Sequence, residues 1–145
     1  MYIRPLTKND IPACARILMD VYNNELWRCR WQQETAENYL TDYLTAGKFL
    51  GFAAEENGAL CGALFAHEKV WWNNSEIFID EMFVTPPRQG QGIGRLLMDK
   101  VEETVKERSL AGITLSTNRF APAPRFYEKL GFADCPHVQF LAKEI

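Results

Sequence analysis

The sequence predicts an α/β (α+β) fold, a mixed central sheet with helices on both faces. Three stretches carry that expectation. Glu76–Val84 reads as a strand with apolar side chains on both sides, Ile77, Ile79 and Phe83 on one and Phe78, Met82 and Val84 on the other. A strand apolar on both faces is central and covered above and below. Asn57-Gly58 sits between two apolar runs, which is the strongest short-range hairpin signal. Ile93, Leu96, Leu97, Val101 and Val105 then recur at helical spacing, with Lys100, Glu102, Glu103, Lys106, Glu107 and Arg108 on the solvent side.

The remaining elements follow in order. Met1–Leu6 is a short first strand. Thr7-Lys8-Asn9-Asp10 is a capping box, and Ile11, Cys14, Ile17, Leu18, Val21 and Tyr22 form the buried stripe of a first helix, with Pro12 tolerated in its first turn. Asn23–Gln33, with Trp27 and Trp31 among charged residues, is a short helix or a loop. Thr35 caps a second helix through Leu44, and Gly47 is its terminating glycine. Lys48–Glu56 and Ala59–Trp72 are the hairpin strands. Thr85-Pro86-Pro87 ends the central strand, since proline cannot continue a ladder. Gly112–Thr117 is a strand, Pro122–Leu130 a short helix closing at Gly131, and Phe132–Asp134 and Val138–Lys143 two final strands. The expected order is β-αα-βββ-α-β-α-ββ.

At 145 residues the chain fits one domain, 1–145, with a full core. Its 47% hydrophobic and 24% charged residues are ordinary for a globular protein. A net charge of −3 argues against nucleic acid and is compatible with a cationic small molecule. No apolar run is long enough for a membrane span, and the first residues lack a signal-peptide core. Cys14, Cys29, Cys61 and Cys135 show no metal-binding spacing, and Cys14 and Cys61 fall in apolar patterns as core residues. A cytoplasmic, reduced, metal-free protein is expected.

Gly90, Gly92 and Gly94 strip side chains from the bend that enters the long helix. Bare amides at a helix start make an anion site, because the first N–H groups have no partner inside the helix. The same glycines can equally serve a tight turn alone. The third glycine of the dinucleotide fingerprint is missing, and no Gly-Lys-Ser/Thr follows.

Gln89-Gly90-Gln91-Gly92-Ile93-Gly94, set between strand and helix, resembles the Q/R-x-x-G-x-G/A motif of the GNAT acetyl-CoA-dependent N-acetyltransferases. Arg125-Phe126-Tyr127-Glu128-Lys129-Leu130-Gly131-Phe132 resembles that family's YEKLGF segment, and Met82-Phe83-Val84 its L-x-V strand end. The resemblance covers essentially the whole chain. It implies the GNAT acyl-CoA N-acyltransferase fold, acetyl-CoA as acetyl donor, and direct attack by a primary amine in a ternary complex. It implies that amides of Gln89, Gly90, Gln91, Gly92, Ile93, Gly94 and Arg95 cradle the CoA pyrophosphate, with Arg88 or Arg95 adding charge or staying solvated. The backbone of Met82, Phe83 and Val84 would pair with the pantetheine arm beside a local bulge. Asn118 resembles an asparagine that contacts the cofactor, although its nine-residue spacing to Tyr127 is two longer than the commoner one.

Tyr127 is the implied general acid, since a phenol near pKa 10 is protonated at neutral pH. Asp80 and Glu81 interrupt apolar rows of the central strand, and alternation sends one to each face. Either is a candidate base, the alternative being a salt bridge to a neighbouring helix. The resemblance places the acceptor among the first two helices, their connection and the central strands, in range of Glu25, Trp27, Trp31, Trp71, Trp72, Asp80 and Glu81, and aromatics beside carboxylates suit a cationic amine. Trp71 and Trp72 fit core or interface roles as well, and His67 and His137 read as structural. The expected acceptor is polyamine- or aminoglycoside-like. Alternatives are a protein N-terminus or lysine, a non-catalytic CoA-binding sensor, and an unrelated phosphate-binding domain. Family members commonly dimerise, which leaves a homodimer open.

Overall fold

A computed structural model describes residues 1–145. Five strands, β1 (Tyr2–Pro5), β2 (Phe49–Glu56), β3 (Ala59–Val70), β4 (Ser75–Val84) and β5 (Ile113–Leu115), form one sheet in sequential order. The first four pair antiparallel and β5 joins β4 in parallel. Helices α1 (Ile11–Tyr22) and α2 (Gln33–Thr45) cover one face; α3 (Ile93–Glu107) and α4 (Ala123–Lys129) cover the other. No helix is long and apolar enough to cross a membrane.

Two apolar clusters hold these layers. Cys14, Leu18 and Leu40 pack with Phe65 and Phe83 on the α1/α2 side. Leu97, Met98 and Val101 pack with Leu64, Ile77 and Ile79 on the α3 side. Full burial of each large side chain contributes about 1.5–3 kcal/mol. Cys14 and Cys61 are buried as free thiols. Arg4 fastens β1 to the entry of α1, donating to both Asp10 oxygens (2.8 and 2.9 Å) and to Glu55 (2.8 Å). That guanidinium holds the Asp10 carboxyl below the usual carboxylate range.

The Asn57-Gly58 turn forms, with φ of 52° and 76°, the paired left-handed geometry that matches strand twist. Four expectations change. Helix α2 begins at Gln33, with Gln32 as its cap and Thr35 one turn inside, and the left-handed residue after it is Lys48 (φ 65°) instead of Gly47. Asn23–Gln32 is turn and loop, one of the two forms expected for that stretch. Phe132–Asp134 and Val138–Lys143 are not strands. Pro136 lacks an amide donor, Val138 N–H closes a turn on Cys135 C=O (3.0 Å), and Val138, Phe140 and Leu141 stand exposed.

The fourth change shapes the site. Ile79 packs toward α3, whereas Phe83, four residues on, packs toward α1 and α2. An unbroken strand would send both the same way. The register slips where Phe65 faces Glu81 and Ala66 faces Ile79, leaving Asp80 as the extra residue of a β-bulge.

Candidate active site

Strand β4 is paired along one edge and open along part of the other. Its ladder to β5 ends at Ile79↔Leu115, while β4 continues to Val84, still paired with β3 as far as Gly62. A cleft of about 810 Å³ opens in the gap, bounded by β4, the glycine turn, α4 and the α1–α2 connection. On that side Met82–Val84 have no sheet partner, although Met82 C=O accepts from Tyr22 Oη (3.4 Å) and Val84 C=O from the Gln89 side chain, and an extended ligand can complete such an edge as an added strand.

At the mouth the backbone forms the surface. Gly90 and Gly92 adopt φ of 75° and 83°, a left-handed region that side-chain-bearing residues enter at a cost. The first helical hydrogen bond of α3 runs from Leu96 N–H to Gly92 C=O (3.1 Å). The amides of Ile93, Gly94 and Arg95 therefore lack a partner within the helix, and the helix dipole adds positive potential there. Gln89 ties the turn to the strand end by donating to Val84 C=O at 3.0 Å. A Cβ at Gly94 would lie 3.2 Å from Phe126 Cζ, so α3 and α4 meet closely only because that side chain is absent. Both arginines beside the turn are paired, Arg88 with Glu56 (2.7 Å) and Arg95 with Asp99 (2.8 Å).

Deeper in, side chains make the surface. Glu81 accepts from Tyr39 Oη (2.5 Å) and Tyr22 Oη (3.2 Å), hydroxyls supplied by α2 and α1. Burial pushes its carboxyl above the usual range, the two phenols oppose that, and the neighbouring Asp80 charge adds to it. Tyr22 meets Trp27 edge-on at 5.0 Å, and Tyr39 contacts Trp31 at 4.8 Å, so an aromatic wall surrounds the carboxylate. Across the cleft Tyr127 makes no side-chain hydrogen bond. Burial, with Glu81's charge, pushes its phenol up to about 12, keeping it protonated.

Asp80 and Glu81 do not part to opposite faces. Asp80 bonds His67 Nδ1 at 2.8 Å, and alternation along β3 sets His67 on the side of Ala63 and Phe65, toward α1 and α2. Glu81 points the same way, because the bulge restarts the alternation at that point. His67 thus has a partner that the sequence did not reveal.

Most of the expected site residues come together. Asp80, Glu81, Met82, Phe83, Val84, Gln89, Gly90, Gly92, Ile93, Gly94, Arg95, Tyr127 and Trp27 all line the cleft. Gln91 does not; its side chain accepts from Arg88 and donates to Pro87 C=O. Asn118 spends its side-chain oxygen on the Phe120 amide (2.9 Å), bracing a turn outside the lining. Glu25 does not line the cleft; it borders an adjoining depression with Arg28 and Arg30, which shares Asn24, Cys29 and Trp31 with the cleft. Trp71 and Trp72 are exposed at the β3–β4 turn, 61% and 85%, neither core nor part of the cleft. Sequence reasoning missed Tyr22, Tyr39 and His67. A hydroxyl on the buried stripe of the first helix was the one available hint, since a buried phenol needs a partner.

A central sheet that parts above a glycine-bounded helix start defines an α+β class built around one cleft. Residues 15–132 match the acetyltransferase (GNAT) family model, and the chain belongs to that family. The streptothricin acetyltransferase of Streptomyces lavendulae is 34% identical over 84 residues, 57% of this chain. The match spans only 43% of that relative's length. Among solved structures, the ribosomal-protein-alanine N-acetyltransferase of Brucella melitensis superposes with TM-score 0.79 at 18% identity, covering 99% of this chain and 100% of that one. An aminoglycoside 6′-N-acetyltransferase of Acinetobacter haemolyticus superposes with TM-score 0.77 at 16% identity, covering 100% and 99%. At such identities these structures establish the shared fold.

Proposed function

We propose that this protein transfers an acetyl group from acetyl-CoA to the primary amine of a cationic small molecule, by direct attack in a ternary complex. The observation that carries the reading is the cleft's two-ended construction. One end offers unpartnered backbone amides suited to a pyrophosphate, and the other offers carboxylates ringed by aromatics. The pyrophosphate would sit on the amides of residues 90–95, and the pantetheine arm along the free edge of Met82–Val84.

The acceptor enters as an ammonium ion, which the paired carboxylates and aromatic faces attract. It must lose a proton before its nitrogen lone pair can attack. A carboxylate at the bulge takes that proton, the C–N bond forms, the C–S bond breaks, and the nitrogen gives its second proton to the departing CoA sulfur, so that an amide and CoA thiol are released. Tyr127, with no competing side-chain partner, donates a hydrogen bond to the developing thiolate. Its phenol, held near 12, is a far weaker acid than a thiol of about 8.5, so hydrogen-bond donation precedes any full proton transfer.

The relatives include acetyltransferases named for streptothricin and for aminoglycosides, which supports a cationic small-molecule acceptor. A protein N-terminus is the second reading, supported by the ribosomal-protein-alanine acetyltransferase likeness. The test is CoA-thiol release from acetyl-CoA across polyamines, aminoglycosides, amino acids and N-terminal peptides, with Tyr127→Phe alongside. Release with one amine class, and a kcat about 10²-fold lower in the variant at unchanged acetyl-CoA affinity, is the expected result. Tight acetyl-CoA binding without release on any amine would defeat it in favour of a CoA-binding sensor. An unchanged kcat in Tyr127→Phe would remove the tyrosine from the chemistry.

A further inference from the structure

The two carboxylates at the bulge are held differently, although they are adjacent. Both oxygens of Glu81 are engaged, Oε1 by Tyr39 and Oε2 by Tyr22. Asp80 is engaged on Oδ2 alone, by His67 Nδ1 at 2.8 Å. Asp80 Oδ1 has no side-chain or backbone partner, and no buried side-chain polar atom is left unpartnered. Oδ1 therefore reaches open space, and Asp80 lines the cleft. The carboxylate is otherwise enclosed, its side chain 7% exposed.

We infer that Asp80, held and oriented by His67, is the proton acceptor for the incoming ammonium, and that Glu81 is the fixed anion that recognises it. The assignment rests on the acetyl-transfer reading and divides labour within its site. In the acceptor step an ammonium N–H bond breaks and an O–H bond forms at Asp80 Oδ1, while Oδ2 keeps accepting from His67 Nδ1–H. The amine lone pair so released attacks the thioester carbonyl, the C–S bond breaks, and the nitrogen's second proton leaves on the CoA sulfur, which departs as the thiol. After product leaves, Oδ1 returns its proton to water in the cleft. Nδ1 is the donor here because an ionised carboxylate has no proton to give. His67 is a positioning residue: its N–H favours the ionised form of a buried carboxylate and fixes the direction of the free oxygen.

Geometry separates the roles. Two neutral donors, one on each oxygen, hold the Glu81 carboxylate in place, whereas Asp80 Oδ1 has both lone pairs clear of protein partners and can take a proton with its other contact unchanged. Of the titratable groups at this end, His67 from β3 faces Asp80, while Tyr22 from α1, Tyr39 from α2 and Tyr127 from α4 face Glu81, its neighbour on β4. Among them His67 is the one hydrogen-bonded to Asp80. Its side chain is 35% exposed, so substitution there leaves the packed core intact.

The experiment compares His67→Ala with His67→Asn, whose side-chain amide can present an N–H where Nδ1 does. Asp80→Asn and Glu81→Gln accompany them, assayed with whichever amine the wild type acetylates. His67→Ala should lower kcat about tenfold with acetyl-CoA KM unchanged, and move the acidic limb of kcat/KM to higher pH. His67→Asn should restore both. Asp80→Asn should lower kcat about 10²-fold or more, and Glu81→Gln should act mainly on amine KM. A wild-type limb and kcat in His67→Ala, or a limb abolished by Glu81→Gln and kept in Asp80→Asn, would overturn the assignment. Imidazole ¹⁵N NMR of the free protein gives a readout that needs no turnover. At fixed pH the His67 Nδ1 resonance should lie at a different chemical shift in Asp80→Asn than in wild type, and identical shifts would show that the pair does not form. With that coupling present, an absence of acetyl transfer to any amine would defeat the functional reading, and the role of Asp80 with it.

Discussion

The two ends of the cleft are built from different materials. The mouth is backbone: the left-handed Gly90 and Gly92, the start of α3, and the unpaired edge of Met82–Val84. The inner end is side chain: Glu81, Asp80 and the phenols and indoles drawn in from α1, α2 and their connection. A backbone surface recognises what is constant in a ligand and depends on few residue identities. A side-chain surface can be re-specified by substitution without disturbing the sheet. That contrast explains how one fold can keep a donor and vary its acceptor, and it can be broken from either end.

The largest effect on ligand binding is expected at the mouth. Gly92 caps α3 at φ 83°, and a Cβ there meets no atom within 4 Å, so any penalty is conformational instead of steric. Left-handed geometry costs a non-glycine residue about 1–2 kcal/mol. In Gly92→Ala the free loop relaxes away from that geometry and must regain it to present its amides. Acetyl-CoA Kd should weaken about tenfold, with the amine KM untouched. Calorimetric titration of acetyl-CoA measures this, and a wild-type Kd would show that the loop does not shape the donor site.

The same contrast governs what could be read from the sequence. The mouth was legible because its determinants are local: a glycine every second residue, then a helical stripe. The inner end was not, because its bonds join residues 42 and 59 positions apart. Asp80 and Glu81 stand out as charges in an apolar strand, yet their directions depend on where the bulge falls: the resemblance implies one beside Met82–Val84, and it sits at Asp80. The two final strands failed for a related reason. Apolar alternation in Val138–Lys143 shows that a strand would be suitable, but pairing also needs an edge of matching length, and β5 offers three residues.

A smaller effect, of opposite sign for stability and function, is expected at the inner end. Glu81 is half-buried, and desolvation holds its carboxyl above the ordinary value. Between the unfolded and folded pKa values the folded state binds more protons, so stability falls as pH rises through that window. Glu81→Gln removes the ionisable group. It should raise unfolding free energy at pH 7 by about 0.5–2 kcal/mol, while weakening amine binding. Below the ordinary glutamate range the gain should vanish, since the wild-type carboxyl is then neutral in both states. Denaturant unfolding at pH 7 and pH 4 decides it; destabilisation at neutral pH would mean that the two phenols more than offset the burial of the charge.

The smallest effect tests where the acceptor wall ends. Trp72 is 85% exposed beyond the last residue of β3, and it does not line the cleft. Trp27, by contrast, lies in the lining and meets Tyr22 at 5.0 Å. Surface substitutions away from buried networks change stability by about 0.5 kcal/mol or less. Trp72→Ser should therefore stay within about that margin and leave kcat/KM for the amine as in wild type. Trp27→Ala, on the same axis of comparison, should raise the amine KM several-fold, because it removes an aromatic face beside Tyr22 and opens the cleft to water. Steady-state kinetics on the pair separates the two indoles. A raised amine KM in Trp72→Ser would extend the acceptor surface from the α1–α2 connection to the β3–β4 turn, and would make the substrate larger than the cleft alone implies.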